Sequence, residues 1–267
     1  MRAQSVMLER DAVERWDAIW QSRGESDYEG AYRAILERHA ALRPGQWALE
    51  AGSGSGRALC RACEATGARP LALDISPEAI RTSIPMLRQL GGSAVIGDLR
   101  QLPFRSGSVP SIFNSGVIEH LRPPQDRDAL AEMARVARAD GTVVVLVPNR
   151  CCPWFMLAKI LLRVTGKWRY GYERSYTPRG LSALARRAGL RLIRRVGSQV
   201  LPPARDGFRT YCGPRLAAWH GRVERRLRRV APYIGMATGV VLTPCPGPRT
   251  GKTLADGCRI GSGKSCE

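Results

Sequence analysis

The sequence is short of negative charge: 23 Asp and Glu stand against 42 Lys and Arg, a formal net charge of +19 at pH 7. That balance excludes an acidic, solvating chain and suits an anionic partner or a surface simply rich in arginine. No run of about 18 uncharged apolar residues occurs, so no helix is expected to span a membrane. The first residues, Met1-Arg2-Ala3-Gln4, lack the apolar stretch of a secretory signal, and a cytoplasmic protein is expected. Its 8 cysteines then read as reduced thiols. Cys60 and Cys63 have redox or metal spacing, but no second pair at zinc spacing accompanies them. They are read as small residues of a helix, like Cys151, Cys152, Cys212, Cys245, Cys258 and Cys266 elsewhere in the chain, and no metal site is expected. Histidine is scarce, only 3 residues, and no internal repeat is evident.

Glycine, by contrast, is concentrated where it matters. The apolar run Trp47-Ala48-Leu49 leads through Glu50 and Ala51 into Gly52-Ser53-Gly54-Ser55-Gly56, and a helix-forming segment starts at Arg57. Glycine permits φ > 0 and lets a ligand approach main-chain N–H groups with no Cβ in the way. A strand that turns into a helix there aims those donors past the strand's C-terminal edge. The dinucleotide pattern G-x-G-x-x-G needs its third glycine at position 57, which is arginine. Glu50 also disfavours a pyrophosphate and suits a ligand with cationic groups. On the loop alone, a sulfonium-bearing nucleoside, a dinucleotide and a structural turn stay open.

The strands that follow repeat one device. Pro70–Leu73 ends in Asp74, whose two oxygens match a vicinal diol such as a ribose, and Ile75 can pack on a base. Ser76-Pro77-Glu78 has the order of a helix start: cap, proline, acid. Ala94–Leu99 forms a third strand with Asp98 at its tip, where a carboxylate and the next backbone N–H could read the amino edge of adenine. Ser111–Ser115 is the fourth strand, followed by Gly116-Val117-Ile118-Glu119-His120-Leu121. An amphipathic helix over 126–137 is expected to stop at Arg138-Ala139-Asp140-Gly141, with Gly141 left-handed. Thr142–Val147 is apolar throughout, as befits a strand buried on both faces. Thr177-Pro178 caps a helix to Ala188, Leu190–Val196 is a sixth strand, and Gly239–Thr243 a final antiparallel one.

Four ordered motifs carry a family resemblance: E-x-G-x-G-x-G at Glu50–Gly56, the acid Asp74, Gly97-Asp98-Leu99 with Leu102-Pro103-Phe104, and Val117-Ile118-Glu119-His120-Leu121. Over roughly residues 45–196 the chain resembles the class I S-adenosyl-L-methionine (SAM)-dependent methyltransferases. The resemblance implies an α/β fold: a Rossmann-like, doubly wound seven-stranded sheet with a final antiparallel strand, N-terminal helices and a helical insertion after the fifth strand. It implies SAM as cofactor, held by Glu50, Gly52, Gly54, Gly56, Asp74, Ile75, Asp98, Leu99, Asn114 and Ser115. Asn114 departs from the small residue commoner near its site. The organisation expected is a helical cap over 1–44, the SAM domain over 45–243 and a disordered tail over 244–267.

Within that domain, 151–177 is a lid-like insertion and 215–231 an arginine-rich helix with Arg222, Arg225, Arg226 and Arg229 beside one apolar stripe. For the apolar segment Cys152–Val164 three readings stay open: substrate lid, core helix, or shallow contact with a membrane, since Lys159, Arg163, Lys167 and Arg169 flank it. Tyr172, Glu173 and Tyr176 are candidates to position the acceptor. His120, whose ordinary pKa lies near neutrality, is the candidate base, against a role in shaping the loop. The reaction implied is in-line methyl transfer to oxygen or carbon of a small molecule. The alternatives are an anionic lipid or RNA acceptor docked on the basic C-terminal half, and a non-catalytic SAM-binding module. Peripheral contact with an anionic membrane, at its inner face, goes with the lipid alternative; nucleic acid weighs less.

Overall fold

Runs of apolar, β-branched residues separated by amphipathic stretches dictate a parallel sheet covered on both faces. The computed structural model, which describes residues 2–22, 35–202 and 218–245, has that architecture. Its strands are β1 (Trp47–Ala51), β2 (Arg69–Asp74), β3 (Ser93–Ile96), β4 (Val109–Ser115), β5 (Ala137–Pro148), β6 (Leu190–Ser198) and β7 (Ala237–Pro244). They form one sheet in the order β3-β2-β1-β4-β5-β7-β6. Strands β1 to β5 pair in parallel, and β7 is antiparallel to both β5 and β6. The chain winds outward from β1 to β3 and then returns to β4 on β1's other side. That reversal opens a crevice at the C-terminal ends of β1 and β4, where ligands bind in sheets of this kind.

The helices are α1 (Arg2–Ser22), α2 (Arg57–Thr66), α3 (Pro77–Gln89), α4 (Gln125–Val136), α5 (Pro153–Val164) and α6 (Pro178–Arg187). Alternation along the strands divides the core. Leu49, Ile112, Val143 and Val145 pack with Leu130, Met133 and Leu181 on one face. Ala48, Phe113, Val144 and Leu146 pack with Leu36, Leu59 and Ile80 on the other. Two helix starts follow the sequence: Ser76 Oγ accepts from the Ala79 amide, and Thr177 Oγ1 from that of Gly180. Cys60 and Cys63 are buried and unoxidised in α2, and burial pushes both thiols up to about 12.

Three expectations change. Residues 137–141 open β5 rather than ending a helix, and Gly141 has no positive φ. It is needed for closeness instead: a Cβ there would stand 2.8 Å from the Arg138 carbonyl oxygen and 2.9 Å from that of Pro110. The last strand starts at Ala237, two residues early. The third ends at Ile96, which leaves Asp98 on the loop beyond it.

Of the N-terminal helices expected over 1–44, residues 2–22 and 35–39 are helical, with Ile35 and Leu36 buried; residues 23–34 lie outside the described residues. Residues 218–226 of the arginine-rich segment are helical and leave Arg222, Arg225 and Arg226 exposed. Glu224 accepts from the Val200 and Leu201 amides and so docks that helix. The tail beyond residue 245 lies outside the described residues.

Candidate active site

The glycine turn wraps over the end of β2. The amides of Gly52 and Ser53 both donate to the Leu73 carbonyl, at 2.7 and 2.9 Å. Gly52 and Gly54 are left-handed, with φ of 82° and 50°. Neither position has room for a side chain. A Cβ at Gly52 would come within 2.5 Å of Val117, and one at Gly54 within 2.2 Å of the Trp20 ring. Helix α1 therefore lies across the loop, and Asp17 holds it there by accepting from the Ser76 hydroxyl and the Glu78 amide.

Asp74 is buried at the tip of β2 and accepts from the Gly54 amide at 2.8 Å and the Ser76 amide at 2.9 Å. Burial raises its pKa, and the backbone donors oppose that rise. Glu50, buried at the tip of β1, accepts from Ser115 Oγ at 3.3 Å. Asp98 behaves differently, because its carboxylate grips the Arg100 guanidinium and the Arg100 amide. It reaches the cavity already ion-paired.

These tips line one end of a cavity of ≈ 990 Å³ that continues to His120, Tyr172 and Glu173. His120 Nδ1 is 2.9 Å from the Tyr172 carbonyl oxygen. A carbonyl only accepts, so Nδ1 carries the proton and Nε2 keeps a lone pair. Burial holds the imidazole's pKa below its ordinary 6.5, so at neutral pH it is uncharged. Trp16 of α1 meets the ring edge-on, with centroids 4.9 Å apart.

Behind it sits a buried charge cluster. Lys159 of α5 donates to Glu173 Oε1 at 2.6 Å and to Ser175 Oγ at 2.8 Å. It thus lies inside α5, not among the cations outside it. Glu119 is fully enclosed, and its Oε2 has no hydrogen-bond partner among the described residues. Burial first, then the neighbouring Glu173 charge, raises the Glu119 pKa well above 4.5. A raised carboxyl keeps its proton when folded but loses it when unfolded, so stability falls as pH rises above about 4.5. Glu119→Gln, which mimics the protonated form, is expected to unfold like the wild type at pH 4. It should gain on the wild type as pH rises above about 4.5, until Glu119 ionises in the folded state, as urea melts at each pH would show.

Several expected residues are placed elsewhere. Gly56 does not line the cavity; its left-handed turn opens α2, and a Cβ there would press on Ser83 at 3.1 Å. Asn114 is fully buried and donates to the Ala51 carbonyl at 2.5 Å, so it braces β1 from beneath. Tyr176 is buried with its hydroxyl donating to Asp126 at 2.8 Å and does not line the cavity. Ile75, Leu99, Ser115, Tyr172 and Glu173 do line it. Residues to which the sequence assigned no site role also reach it: Arg15, Trp16 and Trp20 from α1, Glu119, and Trp154 and Phe155 from α5. Helical spacing puts Trp16 and Trp20 on one face of α1, but does not say what that face covers.

The residues fit SAM, which the resemblance implies. Asp74 spends one lone pair of each oxygen on backbone donors and keeps acceptor capacity for two hydroxyls. The cavity lies at the top of the range of about 300–1,000 Å³ typical of ligand sites, with space for an acceptor beside a nucleoside. No cluster of residues fit to hold a metal occurs among the described residues.

Several known proteins similar to this chain are methyltransferases. A family model described as a methyltransferase domain matches residues 49–145. The malonyl-[acyl-carrier protein] O-methyltransferase of Laribacter hongkongensis is 38% identical over 125 residues, 43% of this chain and 40% of that protein. The chain spans about two fifths of the length of the curated relatives it matches. Among solved structures, a chain of the complex between the Haloferax volcanii Trm112 methyltransferase activator and a methyltransferase aligns with TM-score 0.65. It is 19% identical, over 90% of this chain and 99% of that one. Geranyl diphosphate C-methyltransferase of Streptomyces coelicolor, solved with S-adenosyl-L-homocysteine, aligns with TM-score 0.60 at 13% identity, over 88% and 97%.

Proposed function

We propose that this chain is a class I methyltransferase that uses SAM to methylate a small-molecule acceptor at oxygen or carbon; the match of residues 49–145 to a methyltransferase domain supports the reading. One observation carries the reading: the acidic strand tips Glu50, Asp74 and Asp98 and the imidazole of His120 line a single cavity. When bound, SAM supplies a methyl group on a cationic sulfur that leaves as a neutral thioether. The chain's residues orient and exclude water. Asp74 would accept the ribose hydroxyls, while Ile75 and Leu99 offer apolar surface to the base. Helix α1 with Trp16 and Trp20, and α5 with Trp154 and Phe155, wall off the cavity.

His120 takes the proton from the acceptor's oxygen or carbon at Nε2 and becomes imidazolium, which the Tyr172 carbonyl steadies through Nδ1–H. Because its pKa is lowered, this base is lost only when pH falls below 6.5, and kcat/KM should drop on that side. The test is turnover of a panel of phenols, alcohols and activated methylene compounds, followed by S-adenosyl-L-homocysteine release. His120→Gln is expected to cut kcat by about 10²–10⁴, remove the acid limb and leave SAM binding intact. An unchanged kcat would make His120 a loop-shaping residue. Tight SAM binding with no turnover on any acceptor would favour a non-catalytic module.

A further inference from the structure

Helix α5 has two apolar faces, and only one is used. Trp154, Phe155, Ala158, Lys159 and Leu162 line the cavity. On the opposite side Leu157, Ile160, Leu161 and Val164 are 69%, 55%, 61% and 81% exposed. They follow helical spacing i, i+3, i+4, i+7 and form one stripe. Four large aliphatic side chains left in water along a single helix make a contiguous patch of the kind that marks a docking surface.

We propose that this stripe docks on an anionic lipid bilayer. It would lie in the boundary between headgroups and acyl chains, so that the acceptor enters the cavity past α5 from the lipid. The docking stands by itself; the lipid-side entry of the acceptor rests on the methyl-transfer reading.

Charge selects the occupant. From Asn149 to Tyr172 the sequence holds Arg150, Lys159, Arg163, Lys167 and Arg169 and no acid at all. Lys159 is consumed inside by Glu173. The other four are exposed: Arg150 precedes the helix, Arg163 sits in its last turn and also donates to the Glu173 carbonyl, and Lys167 and Arg169 follow it at the cavity's rim. An apolar face with a cationic border is the signature of a helix lying in a membrane interface. The helix is also held so that it cannot turn its stripe inward. Lys159 anchors one turn to Glu173 and Ser175, and Trp154 Nε1 donates to the Val200 carbonyl at 2.9 Å. No helix among the described residues is long and apolar enough to cross a membrane, so the contact is lateral.

The experiment is co-sedimentation of the full chain with phosphatidylcholine vesicles, with and without about 30% phosphatidylglycerol. Alongside it, calorimetry with SAM reports the integrity of the other face. The wild type is expected to bind the anionic vesicles at least about tenfold more tightly than neutral ones, and more weakly as salt is raised. Leu157→Gln/Leu161→Gln should lose at least about tenfold in vesicle affinity with unchanged heat of SAM binding. Lys167→Gln/Arg169→Gln should lose the preference for anionic lipid. Vesicle binding unchanged in the leucine pair would overturn the proposal, since it would then be diffuse adsorption of a polycation. A dimer in sedimentation that the leucine pair dissociates, without vesicle binding, would overturn it too and assign the stripe to a second copy. A chain that binds vesicles but no SAM would keep the docking and sink the methyl-transfer reading.

Discussion

Asp74→Asn is expected to weaken SAM binding by more than about a hundredfold in calorimetry, with the fold retained. In the wild type one oxygen of Asp74 holds the Gly54 amide and the other holds the Ser76 amide. An asparagine has one oxygen, so its NH₂ must face one of those N–H groups, donor against donor. The glycine turn or the α3 start is then released, and the turn is what sets the cavity's floor. A hydrogen bond to a charged group contributes about 1.5–3 kcal/mol, and a buried donor left unpaired costs about 1–3 kcal/mol. Two such losses at one site exceed the roughly 2.8 kcal/mol that corresponds to a hundredfold. Asp98→Asn is expected to cost far less, within about tenfold, because the Asp98 carboxylate already spends its charge on Arg100. Equal effects of the two substitutions would mean that the acids act by charge alone, and unchanged affinity in Asp74→Asn would remove the cofactor site from this sheet edge.

What was legible in the sequence is what short-range chemistry fixes. The glycine turn, the caps at Ser76 and Thr177 and the apolar β5 each depend on residues a few positions apart, and the winding of the sheet follows from their order. The residues that moved were decided by partners distant in sequence. Arg138-Ala139-Asp140-Gly141 has the chemistry of a helix end, yet it lies within β5, in the register shift between Ala137, paired with Val109, and Thr142, paired with Ser111. Asn114 and Ser115 are neighbours in β4 and so point to opposite faces. The first reaches under β1, and the second reaches Glu50 and the cavity. Trp20 lies against Gly54 across 34 positions of chain, and nothing local announces that. Lys159 shows the same limit most sharply, since a lysine in an apolar helix reads as a flank until the segment that covers it is known.

That lysine sets the second large effect. Lys159→Met is expected to destabilise the chain by about 3–5 kcal/mol, because it leaves Glu173 buried with no countercharge. The neighbourhood makes the loss worse than an ordinary broken pair: Glu119 stands close enough for the two carboxyls to raise one another's energy, and Lys159 offsets both. Lys159→Met/Glu173→Gln removes both charges and should recover most of the loss, since a buried pair replaced by neutral groups of similar volume is often near neutral. Urea melts of the two single variants and the double at three pH values give the coupling directly. If the double variant stays as unstable as the single one, the pair's contribution is packing against Trp168 rather than charge, and α5 is then held by its aromatic contacts. If it recovers, the helix that roofs the cavity is pinned from within by one ion pair, and its outer stripe is left free to meet whatever lies outside.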